Sequence, residues 1–193
     1  MPPPLILAST SRYRRALLER LGLPFTAVAP AVDEASVKAR IGEPDAAAVA
    51  LARSKAEAVA ALHRDAVVIG SDQIATIDGR ILDKPGSAAR AIEQLQSLRG
   101  RTHRLVTAVA IAHPAGLCEF VDVTSLTMRE IDDAALDRYV AAEQPIDCAG
   151  SYKIEGRGIA LFSAIASADQ TAIVGLPLLR LAHELRVLGF VMP

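Results

Sequence analysis

Cysteine is scarce in this chain. Its 193 residues include two, Cys118 and Cys148, which form no close pair and have no metal-binding spacing. With no disulfide framework to make, a reducing compartment fits best, and a cytoplasmic location is expected. Histidine is nearly as sparse: His63, His103, His113 and His183 lack ligand spacing and read as structural or surface residues. An excess of one charge is also missing. The 21 Lys and Arg stand against 22 Asp and Glu, a net charge of −1, which argues against a nucleic-acid binder that works through a broad basic field. A phosphate ligand would have to be held by local clusters instead. No apolar run is long enough to span a bilayer. The opening residues show no charged segment followed by a long apolar core, so neither a secretory signal nor a membrane partner is expected. Internal repeats, low-complexity linkers, a Walker-type loop and a Ser/His/Asp triad are not found either.

What is present is a globular composition, 51% hydrophobic and 22% charged, in a length that suits one domain or two small lobes. We expect a single domain over residues 1–193. Strand-like and helix-like patterns alternate, which predicts an α/β fold. The patterns place helices at about 12–22, 45–62, 87–98, 131–142 and 177–188, and strands at about 4–8, 25–28, 66–77, 80–82, 103–112, 117–128 and 159–165. Asp78-Gly79 is a hairpin signal. His113 to Gly116 reads as a second turn linking two long strands, so the sheet is expected to be mixed.

Six places carry candidate chemistry. In Leu5 to Gly22 a short apolar run is followed by Ser9, Thr10 and Ser11, and then by an amphipathic helix pattern with Arg12, Arg14 and Arg15 in its first turn. Cations are unfavourable at that end, where the helix dipole is already positive. The arrangement makes sense if an anion sits there, held by amides, hydroxyls and guanidinium forks. In Val67 to Gln73 a buried strand delivers Asp72 after Gly70-Ser71. Such an acid is costly unless solvated, paired or metal-bound. It reads either as a metal ligand or general base, or as a turn Asp capping a neighbouring segment. Lys84, in Asp83-Lys84-Pro85, closes the hairpin that begins near Asp72 and reads as a pairing or phosphate-neutralising cation or as a solvated turn lysine. Asp33-Glu34 resembles a capped helix start, with Glu34 a candidate metal carboxylate. Lys55 lies mid-helix, where a solvated face is the default. Cys148 to Gly158 carries three glycines and reads as a loop that permits close approach or tight turns.

Taken together these residues resemble the Maf family of nucleoside triphosphate pyrophosphatases. The marks are Leu7 to Ser11 with Arg14-Arg15, Val32-Asp33-Glu34, Ala52 to Lys55, Gly70 to Gln73, Lys84-Pro85, Cys148 to Gly158 and Val174 to Pro177, and they cover almost the whole chain. The resemblance implies an elongated mixed β-sheet flanked by helices, with two lobes around a central cleft, in the manner of ITP pyrophosphatases. It also implies hydrolysis of a nucleotide between the α- and β-phosphates with a divalent metal, Mg²⁺ as a rule and Mn²⁺ or Co²⁺ in its place in vitro. On the same ground Ser9, Ser11, Arg14 and Arg15 would form a phosphate cradle, joined by Lys55 and Lys84. Asp72 would activate water and share the metal with Glu34, and a homodimer would be common. The family often has Pro where this chain has Arg12, which leaves the role of Arg12 open. Tyr13, Gln73 and Glu155 look closer to the subgroup that prefers 7-methyl-GTP than to the one acting on dTTP and UTP. The methylated guanine is cationic, which suits an aromatic face and a carboxylate. The alternatives are dTTP or UTP as substrate, or a nucleotide-binding regulator of septum formation.

Overall fold

A computed structural model describes residues 3–192. The first strand, β1 (Leu5–Leu7), is fully buried and leads into helix α1 (Arg12–Glu19), β2 (Thr26–Ala27), helices α2 (Glu34–Ile41) and α3 (Pro44–Ala60), and the long strand β3 (Val67–Ile77). There follow β4 (Arg80–Leu82), α4 (Ala88–Leu98), β5 (Thr102–His113), β6 (Gly116–Met128), α5 (Asp133–Glu143), β7 (Phe162–Ala166) and α6 (Leu178–Val187). The seven strands form one sheet in the order β2-β1-β3-β5-β6-β7, with β4 beside β3. β1 runs parallel to both β2 and β3, whereas β3–β4 and β6–β7 are antiparallel. The expected mixed α/β sheet is therefore present. Helical crossovers supply the parallel pairs, a two-residue turn joins β3 to β4, and the chain returns from β6 to β7 through α5 and two short 3₁₀ segments.

The chain divides into two compact units. Among the described residues one comprises 3–72, 107–122 and 169–192, the other 73–106 and 123–168, and β3, β5 and β6 contribute to both. In the first unit, Leu5, Leu7, Val67 and Ile69 of the parallel strands pack with Leu17 and Leu18 of α1 and with Leu181 and Leu185 of α6. The α6 pair recurs four residues apart, the interval that stacks side chains on one helical face. β3 is buried along almost its whole length, as expected of a strand covered on both faces.

Gly70 sets how closely α3 approaches that strand. A Cβ there would lie 2.3 Å from the Ala52 carbonyl oxygen and 2.6 Å from the Ala56 nitrogen. Both are backbone atoms and neither can rotate away. Gly70→Ala is therefore expected to destabilise the protein by about 3 kcal/mol, at the top of the range for overpacking. A denaturant titration at fixed pH measures it, and a loss below about 1 kcal/mol would contradict the close α3–β3 contact.

In the second unit, Asp78 and Gly79 turn the β3–β4 hairpin with φ of 50° and 74°, which matches a two-residue turn with both central residues left-handed. The core here includes His103, which is 1% exposed. Its Nε2 lies 3.0 Å from the Tyr152 hydroxyl, and its Nδ1 has no hydrogen-bond partner among the described residues. Burial lowers the His103 pKa from 6.5 to about 4. Above pH 6.5 the imidazole is neutral folded or unfolded. Below it, the unfolded chain binds a proton that the folded chain refuses until about pH 4. Stability from this site is thus complete above pH 6.5 and is lost as pH falls toward 4, by about 3 kcal/mol. Urea midpoints at pH 7 and pH 4.5 should show that loss in the wild type and a shallower one in His103→Gln.

Several elements differ from the sequence reading. The sequence marks α2 only as a capped start at Asp33. The Asp33 carboxylate does accept from the Ser36 amide at 3.1 Å, but no residue of α2 is buried, so no apolar period announces the helix. The strand expected at 159–165 begins only at Phe162, because Arg157–Leu161 winds into a 3₁₀ helix. The Gly156 and Gly158 amides both donate to the Lys153 carbonyl at 3.1 Å, and that winding uses the backbone groups a strand would need. Pro177 caps α6 from the position before its first residue rather than sitting inside it. Cys118 and Cys148 are free thiols. Burial, with help from Asp147, pushes the Cys148 thiol up to about 12, so it stays protonated.

Candidate active site

The first unit builds the site from two local structures. At the end of β1 the Ala8 amide donates to the Ile69 carbonyl at 2.8 Å, which fixes the exit of the chain beside β3. The Ser9 hydroxyl oxygen then accepts the Ser11 amide at 3.1 Å. The Ser11 hydroxyl oxygen caps α1 by accepting the Arg14 amide at 3.4 Å. Both hydroxyls thus shape the turn as acceptors and keep their O–H groups to donate. This adds a structural duty to the cradle role the resemblance implies.

The second structure is a buried ionic cluster. Lys55 is 5% exposed, which corrects the solvated reading of a mid-helix lysine. Its Nζ donates to Asp72 Oδ1 at 2.6 Å and contacts Glu34 Oε1 at 2.7 Å. One ammonium therefore gathers a carboxylate from β3 and one from the first residue of α2. The capping reading of Asp72 is set aside, since its Oδ1 is spent on a side-chain ion pair. Its Oδ2 holds no hydrogen bond among the described residues and is not sealed from solvent.

Arg14 joins the two structures. Its Nε donates to the Gly175 carbonyl at 3.0 Å, and its Nη nitrogens hold no hydrogen bond among the described residues. Burial lowers the Arg14 pKa, while the charges of Asp72 and Glu34 push it back up, so the guanidinium senses both carboxylates. Ser71 donates to the same Gly175 carbonyl at 3.0 Å, and this fixes the residue before Asp72. Sequence reasoning missed that carbonyl, because a main-chain acceptor more than 100 residues away leaves no local signal.

The other candidates stand as follows. Arg15 is exposed, with no side-chain hydrogen bond or ion pair among the described residues. Tyr13 is half-buried, and the Arg12 guanidinium lies 4.7 Å from its ring centroid and donates to its hydroxyl at 2.7 Å. The Arg12 side chain thus lies against its neighbour Tyr13. Gln73, Lys84 and Glu155 belong to the second unit. There the hairpin pairs Ala75 with Leu82, and the same register carried two residues further would set Lys84 opposite Gln73. Lys84 and Glu155 are exposed. The loop that carries Glu155 is anchored by Lys153, whose Nζ donates to the Glu143 carbonyl at 2.9 Å and the Gln144 carbonyl at 3.2 Å, the position where a cation offsets a helix C-terminus.

A mixed-sheet α/β protein that sets a hydroxyl-lined helix start and a guanidinium fork beside paired acids is one suited to gripping an anion and acting on it. The comparisons name the family within that class. The family model described as Maf-like protein matches residues 4–188, and the chain belongs to the Maf family. A protein of Xanthomonas axonopodis pv. citri named 7-methyl-GTP pyrophosphatase is 52% identical over 99% of this chain and 100% of its own length. One of the same name from Ralstonia nicotianae is 52% identical over 96% of each chain, and one from Bordetella avium is 49% identical over 97% of this chain and 94% of its own. Among solved structures, the Staphylococcus aureus Ham1 protein superposes with a TM-score of 0.51 at 14% identity, covering 95% of this chain and 99% of that one, which supports the fold alone.

Proposed function

We propose that the chain is a nucleoside triphosphate pyrophosphatase that cleaves 7-methyl-GTP to 7-methyl-GMP and pyrophosphate. The observation that carries this reading is the Lys55 ammonium joining Asp72 and Glu34 in the field of Arg14. Attack on a phosphoryl group needs an oriented water, a group to take its proton, and charge neutralisation around the phosphates. Asp72 Oδ2 takes the proton of a water that attacks the α-phosphorus. The new bond forms from water oxygen to phosphorus, the bond to the bridging oxygen breaks, and pyrophosphate leaves. The Arg14 fork and the Ser9 and Ser11 hydroxyls hold the phosphates, and Lys84 and Arg15 are the further cations of this reading.

The donor set also suits a hard divalent cation. Lys55 draws the two carboxylates together, with one oxygen of each at 2.6 and 2.7 Å from its ammonium, so an ion that took over from the ammonium could reach both. Among the described residues no group of three acidic, His or Cys side chains converges. Asp72 and Glu34 would therefore supply the protein ligands, and the remainder would come from phosphate oxygens and water, the usual pattern for Mg²⁺. When bound, such an ion neutralises charge on the phosphates.

For the base, the relatives' names favour 7-methyl-GTP, and Tyr13 offers the aromatic face for a cationic guanine, which would take the place of the Arg12 guanidinium 4.7 Å from its ring centroid. Gln73 and Glu155 complete the specificity set, Glu155 as a carboxylate for a cationic guanine. The setting implied is the cytoplasmic nucleotide pool, and no described helix is long and apolar enough to cross a membrane. The test is to incubate the purified protein and Mg²⁺ with 7-methyl-GTP, GTP, dTTP and UTP and to measure pyrophosphate. Turnover should be fastest with 7-methyl-GTP. Fastest turnover of UTP would overturn the substrate, and no release from any nucleotide would favour a binding protein.

A further inference from the structure

We propose that Asp169 and Thr171 are positioning residues that act on the site through the Gly175 carbonyl, an inference that rests on the pyrophosphatase reading above. Asp169 is 4% exposed and Thr171 7%. Asp169 Oδ1 accepts from the Thr171 amide at 2.8 Å and from the Thr171 hydroxyl at 2.6 Å. Asp169 Oδ2 accepts from the Leu179 amide at 2.7 Å, and Thr171 Oγ1 accepts from the Leu178 amide at 2.8 Å. Two side chains thus cap the start of α6 from seven and ten residues upstream, where Pro177 offers no side-chain cap. The segment between the cap and the helix is thereby tied at both ends. Within it the Gly175 amide donates to the Ala172 carbonyl at 2.9 Å, and Gly175 adopts φ +113°, a conformation that L side chains rarely take. Thr107 pins the same turn to β5 by donating to the Ala172 carbonyl at 3.0 Å.

This knot delivers one main-chain oxygen. The Gly175 carbonyl accepts from Arg14 Nε and from Ser71 Oγ, each at 3.0 Å. It therefore orients the guanidinium fork and the residue before Asp72 at once. A neutral acceptor suits the task. A carboxylate holding Nε would quench the charge needed for a triphosphate, whereas a carbonyl fixes the plane of the guanidinium and leaves both Nη groups for a bidentate anion contact. Reacting groups must be held within fractions of an ångström for full rate, and Asp169 holds these two without touching substrate.

The test uses Asp169→Asn and Thr171→Val, with Thr171→Ser as the conservative rescue and Arg14→Lys as the partner in a cycle. The first readout needs no turnover. The Arg14 Nε–H resonance, assigned by its loss in Arg14→Lys, should exchange with solvent at least about tenfold faster in Asp169→Asn and Thr171→Val than in wild type, and should slow again in Thr171→Ser. The second readout is kcat for pyrophosphate release, expected to fall about tenfold or more in Asp169→Asn and to change little when Asp169→Asn is added to Arg14→Lys. Unchanged Nε–H exchange in whichever of the two variants folds would overturn the proposal. So would losses that simply multiply in the double variant. If wild-type protein releases no pyrophosphate from any nucleotide, the pyrophosphatase reading fails, while the exchange measurement still decides whether Asp169 orients Arg14.

Discussion

Asp72→Asn is expected to cut kcat for nucleotide cleavage about 10²–10⁴-fold, the range for loss of a positioned general base. The amide keeps the shape of the carboxylate, and its oxygen can still accept from Lys55 Nζ, which holds Asp72 Oδ1 at 2.6 Å. The fold should therefore survive, and the loss should fall on the chemical step. The second oxygen decides the outcome. In the wild type Oδ2 makes no protein hydrogen bond among the described residues and is free to take a proton, whereas an amide nitrogen at that position can only donate. The phosphate-gripping groups on α1 are untouched, so KM should move far less than kcat. Pyrophosphate release under saturating nucleotide, together with a thermal unfolding curve, separates the two effects. An Asp72→Asn variant with near wild-type kcat would remove Asp72 from the reaction.

The reach of the sequence follows the range of the interactions involved. Local devices are readable. The Asp78-Gly79 turn is legible because two adjacent left-handed residues favour those types. The Asp33 cap is legible because the side chain meets an amide only three residues on. The Arg-rich start of α1 points to an anion because it contradicts the helix dipole. Lys55 permits a sharper reading than the default. The buried residues of α3 are Pro44, Ala47, Ala48, Leu51, Ala52, Lys55, Ala56 and Val59, and Lys55 falls on that stripe at the interval of 3 or 4 that marks a core face. A lysine in a core position needs a carboxylate partner, and Asp72 and Glu34 are the available acids on neighbouring elements. By contrast, the Gly175 carbonyl and the Asp169–Thr171 cap join segments far apart in the sequence, or loop residues with no period. Nothing short of the folded chain announces such contacts. The 3₁₀ winding at Arg157–Leu161 escapes the sequence for a related reason: its apolar residues fit a strand, and only the hydrogen bonds to the Lys153 carbonyl exclude one.

Lys55→Met is expected to destabilise the protein by about 3 kcal/mol and to abolish activity, and the pairing of those effects shows what the cluster is for. The side chains of Lys55 and Asp72 are 7% and 8% exposed, so removing the ammonium strands a carboxylate in a poorly solvated position. Breaking a buried pair from one side costs about 3–5 kcal/mol. The lower end applies here because Glu34 is half-exposed and can turn to water, and because Arg14 still lends its field to Asp72. Adding Asp72→Asn to Lys55→Met removes the stranded charge and should restore most of the lost stability, since an apolar and a neutral residue in place of an ion pair often cost little. The double variant should nevertheless stay inactive. Denaturant titrations of the wild type, both single variants and the double variant close the cycle. A stable but inactive double variant would mean that the buried charges are kept for chemistry and that the fold itself gains little from them. A Lys55→Met protein as stable as wild type would contradict the closed Lys55–Asp72 pair on which the cluster is built.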